Sequence, residues 1–360
     1  MVEIKGCYMS LYTNKLYLED IKLVADANLP WEKLHGKSVL ISGATGLLGS
    51  FLVDVILQKN TQGLNCTVYA LGRSKAKAEE RFSKWWGEKC LVFLPYNVND
   101  SFFRGDIGPV DYVLHLASNT HPMLYSTDPI GTITTNIIGL KNMLDFAIEH
   151  HATRFVFSSS NEIYGENRGD VDLFDESYCG YIDSNTLRAG YPESKRCGEA
   201  LCQAYRSQKE LDVVIARFTR SYGPTMLLSD TKAISQFIRK GIAREDIVLK
   251  SSGTQNYSYT YMADAIFGLL TIMLQGENGE AYNIADESSN ICLKDLAWII
   301  AHHVGKQVVF EIPNEVESAG YSTATKALLD GSKLKKLGWK PFYSIQEGVS
   351  RTIDVLITLQ

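Results

Sequence analysis

A short apolar run, Val39-Leu40-Ile41, leads into Ser42-Gly43-Ala44-Thr45-Gly46-Leu47-Leu48-Gly49, and this passage limits the possible folds more than any other. The run reads as a central parallel strand, buried on both faces. Glycines at 43, 46 and 49 then open an apolar helix through Phe51–Leu57. Gly43 supplies the positive φ of a tight turn. Gly46 lets the backbone approach a pyrophosphate, and Gly49 lets the helix lie near the strand. The helix N-terminus aims its N–H groups and dipole at the same phosphate. Glycine triplets are common in ordinary turns. One that follows a strand and opens a helix predicts dinucleotide binding, with Gly43, Thr45, Gly46, Leu47, Leu48 and Gly49 against the cofactor.

The pattern beyond this turn is one of alternation. Thr67–Leu71, Leu91–Leu94, Tyr112–Ala117, Arg154–Ser158 and Val213–Phe218 read as strands separated by helical segments, the mark of an α/β fold with a Rossmann-type doubly wound parallel sheet. After Gly223-Pro224 the pattern loosens. The expected division is an N-terminal extension over 1–36, with helical spacing from Tyr17 to Ala27 broken at Leu29-Pro30-Trp31. A dinucleotide-binding domain over 37–224 plus 256–279 carries the catalytic residues, and a smaller mixed α/β substrate-binding region covers 225–255 plus 280–360.

A net charge of −5 over 360 residues offers no electrostatic case for nucleic acid or an anionic membrane as partner. Seven cysteines, none in CxxC spacing, read as reduced thiols, and no metal site is expected. Residues 1–20 mix Glu3, Lys5, Lys15, Glu19 and Asp20 with apolar residues, so no signal peptide is read there and a cytoplasmic location is expected. The longest apolar run, near Ile266–Leu274, is too short to span a bilayer.

The second strand ends in Gly72-Arg73-Ser74-Lys75, without the acid that holds the adenosine ribose hydroxyls of NAD. Arg73 is suited to a ribose 2′-phosphate, so NADP(H) is expected over NAD(H). Asn97 and Val98 fall where the adenine would lie. His115-Leu116-Ala117-Ser118 ends the fourth strand, which places Ala117 against the cofactor, while His115 reads as a core histidine.

Two further segments carry chemistry. Tyr191 and Lys195, four apart in Tyr191-Pro192-Glu193-Ser194-Lys195, share a helix face. An ammonium beside a phenol favours the phenolate. Bringing a phenol from a pKa near 10 to near 7 takes about 4 kcal/mol, which Lys195 and a nicotinamide cation together could supply. Tyr191 would then be general base for a hydroxyl or acid for a ketone. Ser160 and Glu162 in Ser158-Ser159-Ser160-Asn161-Glu162 emerge at the carboxyl edge of the sheet, Ser160 placed to hydrogen-bond the reacting oxygen and Glu162 to act as a second acid/base.

Taken together, Gly43/Gly46/Gly49, His115-Leu116-Ala117, Asn136, Ser160, Tyr191 and Lys195 closely resemble the extended short-chain dehydrogenase/reductases, the nucleotide-sugar epimerase/dehydratase group, over roughly residues 38–345. Within the group the chain looks most like UDP-glucuronate decarboxylases. Leu187-Arg188-Ala189-Gly190-Tyr191-Pro192-Glu193-Ser194-Lys195-Arg196 is similar to their catalytic segment, and Glu162 stands where they carry a catalytic glutamate. The resemblance implies hydride transfer at a sugar hydroxyl or ketone on a nucleoside-diphosphate sugar or polyol. It also implies a cofactor contact at Asn136, substrate contacts at Ser118 and Asn161, and a homodimer built on helices 136–150 and 191–209. The departures lie in the substrate half. Tyr257 replaces the decarboxylases' arginine, Arg220 stands where the group usually has asparagine, Thr225 stands where it has arginine, and Asn161 stands where dehydratases carry an aspartic acid. Arg220 and Lys232 are therefore expected on the diphosphate, with Tyr257 against an uncharged sugar or polyol. Net NADPH-dependent reduction of a nucleotide-linked keto-sugar, and UDP-glucuronate decarboxylation, are the alternatives.

Overall fold

Seven parallel strands form the centre of the molecule. In chain order the described strands are β1 (Ser38–Ser42), β2 (Thr67–Gly72), β3 (Leu91–Pro95), β4 (Tyr112–His115), β5 (Arg154–Ser160), β6 (Val213–Phe218), β7 (Arg220–Tyr222), β8 (Ile247–Leu249), β9 (Asn256–Tyr261), β10 (Ala281–Ile284), β11 (Asn290–Cys292), β12 (Val308–Phe310) and β13 (Lys326–Ala327). The computed structural model describes residues 11–100, 107–120, 122–227, 229–311 and 325–359. Part of the N-terminal extension and part of the smaller region thus lie outside the described residues.

The main sheet runs β3-β2-β1-β4-β5-β6-β10, with every pairing parallel. This is the doubly wound order, whose reversal between β1 and β4 leaves a crevice at the carboxyl ends of the strands. Ser42 is level with both Leu71 and His115 there. Strand periodicity explains how one sheet supports two cores. Val39 and Ile41 point into a cluster with Phe51, Val55, Leu269 and Met273, while Leu40 points the other way, to Leu140, Leu144 and Phe157. The helices Leu47–Asn60 and Met262–Gln275 cover the first face, Leu140–Glu149 and Gly190–Lys209 the second. Residues 262–274 are buried all round, which accounts for the apolar run in the sequence.

The N-terminal extension is integral to the first core. Asn14 caps the helix Lys15–Ala25, which buries Tyr17, Ile21, Val24 and Ala25. Pro30 precedes a 3₁₀ turn, Trp31–Leu34, where the sequence predicts a break. Asp54, fully buried, accepts hydrogen bonds from Tyr12 (2.8 Å), Tyr17 (2.5 Å), Arg81 (2.7 Å) and Trp85 (2.9 Å). Asp20, also buried, accepts from Tyr261 (2.6 Å), Tyr343 (2.8 Å) and Arg351 (3.0 Å). The helix therefore joins the nucleotide-binding side to the C-terminal region.

Two boundaries differ from the sequence-based division. The strand Ala281–Ile284, placed in the smaller region, is the seventh strand of the main sheet, paired with β6. The strand Asn256–Tyr261, placed in the larger domain, pairs instead with β7, β11 and β13 in a small separate sheet. Both strands are short, and pairing between segments distant in the chain decided their membership.

Candidate active site

A cavity of about 840 Å³ opens at the carboxyl ends of the strands. Gly43, Gly46, Leu47, Leu48, Gly49, Ser118, Ser160, Asn161, Glu162, Tyr191, Lys195, Arg220, Lys232 and Tyr257 all line it. The sequence-predicted residues Thr45, Arg73, Asn97, Val98, Ala117 and Asn136 are not in its lining.

On the nucleotide side, Gly43 has φ +71°, and a Cβ there would lie 2.8 Å from the Ala117 nitrogen. At Gly49 a Cβ would lie 2.4 Å from the Gly43 oxygen, so the helix sits directly on the turn. Gly46 is different, since a Cβ there would meet only the Gly43 oxygen, at 3.3 Å, among the described residues. Its open side faces the cavity, and no side chain caps the helix Leu47–Asn60 that it begins. Open backbone at an uncapped helix N-terminus fits a dinucleotide pyrophosphate. Thr45 and Gly72 are neighbours, and Arg73 is exposed just past β2. Val98 packs under Gly139, and its carbonyl accepts from Asn142.

Asn136 is fully buried on a π-helical turn, Thr135–Gly139. Its Oδ1 accepts from Ser118 Oγ (2.7 Å) and its Nδ2 donates to Ser194 Oγ (2.9 Å), which in turn donates to the Tyr191 carbonyl (2.8 Å). Asn136 thus braces the helix Gly190–Lys209 against the cavity wall. The turn has no signature in the sequence, where this stretch reads as ordinary helix. His115 is a core histidine, bonded to Ser42 (2.9 Å) and stacked on Phe157, and burial lowers its pKa to about 3.

At the reacting end, Ser160 is the last residue of β5 and caps the next turn, its Oγ accepting from the Glu162 N–H (3.2 Å). Tyr191 is buried, and the hydroxyls of Ser160 and Tyr125 act on its phenol electrostatically. The Tyr125 ring stacks on it with centroids 4.7 Å apart and planes at 18°. Glu162 pairs with Arg188 at 2.8 Å, and the Arg188 guanidinium lies 5.0 Å from the Tyr125 ring centroid. Tyr125 has no signal in the sequence, where a lone aromatic in a short helix reads as core.

The phenol does not have the lowered pKa that the sequence suggests for the cofactor-bound site. Burial, then the Glu162 charge, holds Tyr191 well above the usual phenol value, against the opposing influence of the Ser160 hydroxyl, the Arg188 charge and the Tyr125 hydroxyl. Lys195 is itself desolvated down to about 7, its Nζ donating to the Ser158 carbonyl (2.8 Å) and lying 5.8 Å from the Tyr191 ring centroid. Protein groups alone therefore keep the phenol protonated.

Across the cavity, Arg220 lies over the face of Tyr257, 3.5 Å from the ring centroid, with Nη1 buried and lacking a hydrogen-bond partner among the described residues. Lys232 is paired with Asp230 at 3.0 Å. Asn161 Oδ1 lies 3.5 Å from Ser160 Oγ. Among the described residues no cluster of ligand-type side chains could hold a metal ion, and no helix is long and apolar enough to cross a membrane.

The chain is similar to several known proteins. UDP-glucuronic acid decarboxylase 6 of Arabidopsis thaliana is 29% identical over 313 residues, covering 86% of each chain. UDP-glucuronic acid decarboxylase 1 of Xenopus tropicalis is 28% identical, over 88% of this chain and 71% of that one. The fold is shared with an epimerase of Methanothermobacter thermautotrophicus (TM-score 0.77, 21% identity, 93% and 95% covered). It is also shared with the dTDP-glucose 4,6-dehydratase DesIV of Streptomyces venezuelae, solved with NAD and TYD (TM-score 0.75, 22% identity, 88% and 96% covered). The NAD dependent epimerase/dehydratase family matches residues 39–285, and the chain belongs to that family of enzymes.

Proposed function

We propose that the protein oxidises a hydroxyl of a nucleoside-diphosphate sugar to a ketone and returns the hydride within the same site. The observation that carries this reading is one cavity holding Tyr191, Ser160 and Glu162 together with the open glycine turn. When bound, NAD(P) supplies the hydride acceptor and donor. Tyr191 accepts the sugar hydroxyl proton and later gives it back, and Ser160 orients the sugar oxygen. Lys195, near neutrality in its own titration, gains charge as negative charge develops on Tyr191. Glu162 stands as a second acid/base. In a panel of nucleotide sugars, conversion without net change at the reduced-nicotinamide absorbance band supports this reading. Net loss of NADPH supports the reductase alternative instead.

The substrate is read from Arg220 and Tyr257. The buried, unbonded Nη1 suits a diphosphate oxygen, and Tyr257, under the guanidinium, faces an uncharged sugar or polyol. Lys232, already paired with Asp230, is the secondary contact, and Ser118 and Asn161 line the sugar end. On this reading UDP-glucuronate is a poor substrate. The decarboxylase relatives and Glu162 favour the opposite, and carbon dioxide release from UDP-glucuronate decides between them.

Arg73, exposed after β2 with no acid beside it, supports NADP(H) over NAD(H). Tighter binding of NAD, unaffected by Arg73→Ala, would overturn that preference. A homodimer is supported by exposed Ile130, Ile133 and Ile138, although Leu201 and Tyr205 on the expected interface helix 191–209 also pack on their own core. A monomer mass by light scattering at micromolar concentration rules it out. The protein is proposed to act in the cytoplasm.

A further inference from the structure

Four side chains from three segments close a ring around the reacting end of the cavity. Tyr191 stacks on Tyr125, Arg188 lies over the Tyr125 ring, Arg188 is paired with Glu162, and Glu162 acts electrostatically on Tyr191. Chemistry at Tyr191 alone does not require the outer members. We propose that Tyr125 is a positioning residue for the acid/base step: its hydroxyl donates a hydrogen bond to the Tyr191 oxygen and, with Ser160, holds the phenolate that accepts the sugar proton. This rests on the reading of Tyr191 as the acid/base.

The physical case has two parts. A cation over the face of a phenol ring draws electron density from it and makes the hydroxyl a stronger donor. Arg188 has that position on Tyr125, 5.0 Å from its centroid. The same guanidinium neutralises Glu162, whose charge opposes a phenolate at Tyr191. Arg188 thus favours the phenolate by two routes, one through space and one through Tyr125. The proton balance is simple: the sugar hydroxyl loses its proton to Tyr191, and Tyr125 keeps its own throughout. The ionisable groups facing this pair are Glu162 from the turn after β5, Arg188 before the catalytic helix, Lys195 on that helix and Asp230 across the cavity.

The test uses the full chain saturated with NADP+ and follows tyrosinate absorbance with pH. Wild type minus Tyr191→Phe isolates the Tyr191 titration. Tyr125→Phe keeps the stacked ring and removes the hydroxyl. It should raise the apparent Tyr191 pKa by about one unit, a tenfold change in proton affinity, as expected for losing a hydrogen bond to a charged oxygen. Arg188→Gln should shift the titration in the same direction and Glu162→Gln in the opposite one. A Tyr191 titration unchanged in Tyr125→Phe but displaced in Tyr125→Leu would show that the ring only packs, and would overturn the inference while leaving the acid/base reading intact. If Tyr191→Phe and wild type superimpose over the whole range, the acid/base reading fails, and the inference with it.

Discussion

The two walls of the cavity are made in different ways. The nucleotide wall is backbone: a positive-φ glycine, a glycine open to the cavity and an uncapped helix end, supported by a parallel sheet. The opposite wall is side chains on small strands from the second half of the chain, with Arg220 on β7 lying over Tyr257 on β9. An added Cβ would collide with backbone at Gly43 and Gly49, so the sequence there is constrained. A wall of side chains can exchange an arginine on one strand for an arginine on its neighbour and still present a cation. The lesson is that one half of this molecule is specified by what must be absent, and the other by which pairs meet.

Four experiments would break or sharpen this contrast. The largest effect is expected at the seam between the walls. Tyr191→Phe should lower turnover of the substrate found by panel screening by about 10²–10⁴-fold while leaving cofactor affinity unchanged. Parallel loss of cofactor binding would mean that the phenol shapes the nucleotide wall as well. Next, Gly46→Val should weaken cofactor binding by about ten- to a hundredfold, the equivalent of one or two charge-assisted hydrogen bonds, with little effect on UDP binding by calorimetry. Unchanged cofactor affinity would refute the cradle. Arg220→Ala should do the reverse, costing UDP about tenfold in affinity and the cofactor nothing. Equal losses for both ligands would erase the distinction.

The smallest effect concerns stability. Burial lowers Lys195 to about 7, against about 10.5 in an unfolded chain. Between those values the unfolded chain binds a proton that the folded one lacks, so this group makes the wild type gain stability as pH rises through that window. Lys195→Met removes the dependence. The apo variant should melt about 2–4 °C higher than wild type at pH 6–7, with the gain fading toward pH 10, although it is expected to be catalytically impaired. A constant difference across that range would mean that lysine desolvation is not the cause.

The same contrast governs what was legible in the sequence. Strands β1 and β6, the glycine turn and the placement of Tyr191 and Lys195 on one helix follow from short-range pattern, and the fold bears them out. The exchanged strands β9 and β10 show the limit. Each is a short strand whose local sequence does not name its sheet, and only its long-range partner decides between them. Asn136 was visible as a residue of interest, but its brace between Ser118 and Ser194 depends on a π turn with no sequence signature.

The sequence by itself determined a dinucleotide fold, because one strand, three spaced glycines and an apolar helix are local requirements of backbone geometry. It also placed Tyr191 and Lys195 on one helix face, because helical periodicity alone brings residues four apart together. Tertiary structure decided the rest. Arg220 reaches Tyr257 because β7 and β9 pair in parallel with Arg220 opposite Tyr259, and Tyr257 lies two residues along the same face. Tyr125 reaches Tyr191, and Arg188 closes on Glu162, because a short helix, a sheet edge and a helix start converge on one cavity. Such meetings depend on three-dimensional distance between segments far apart in the chain, a quantity that no local periodicity encodes.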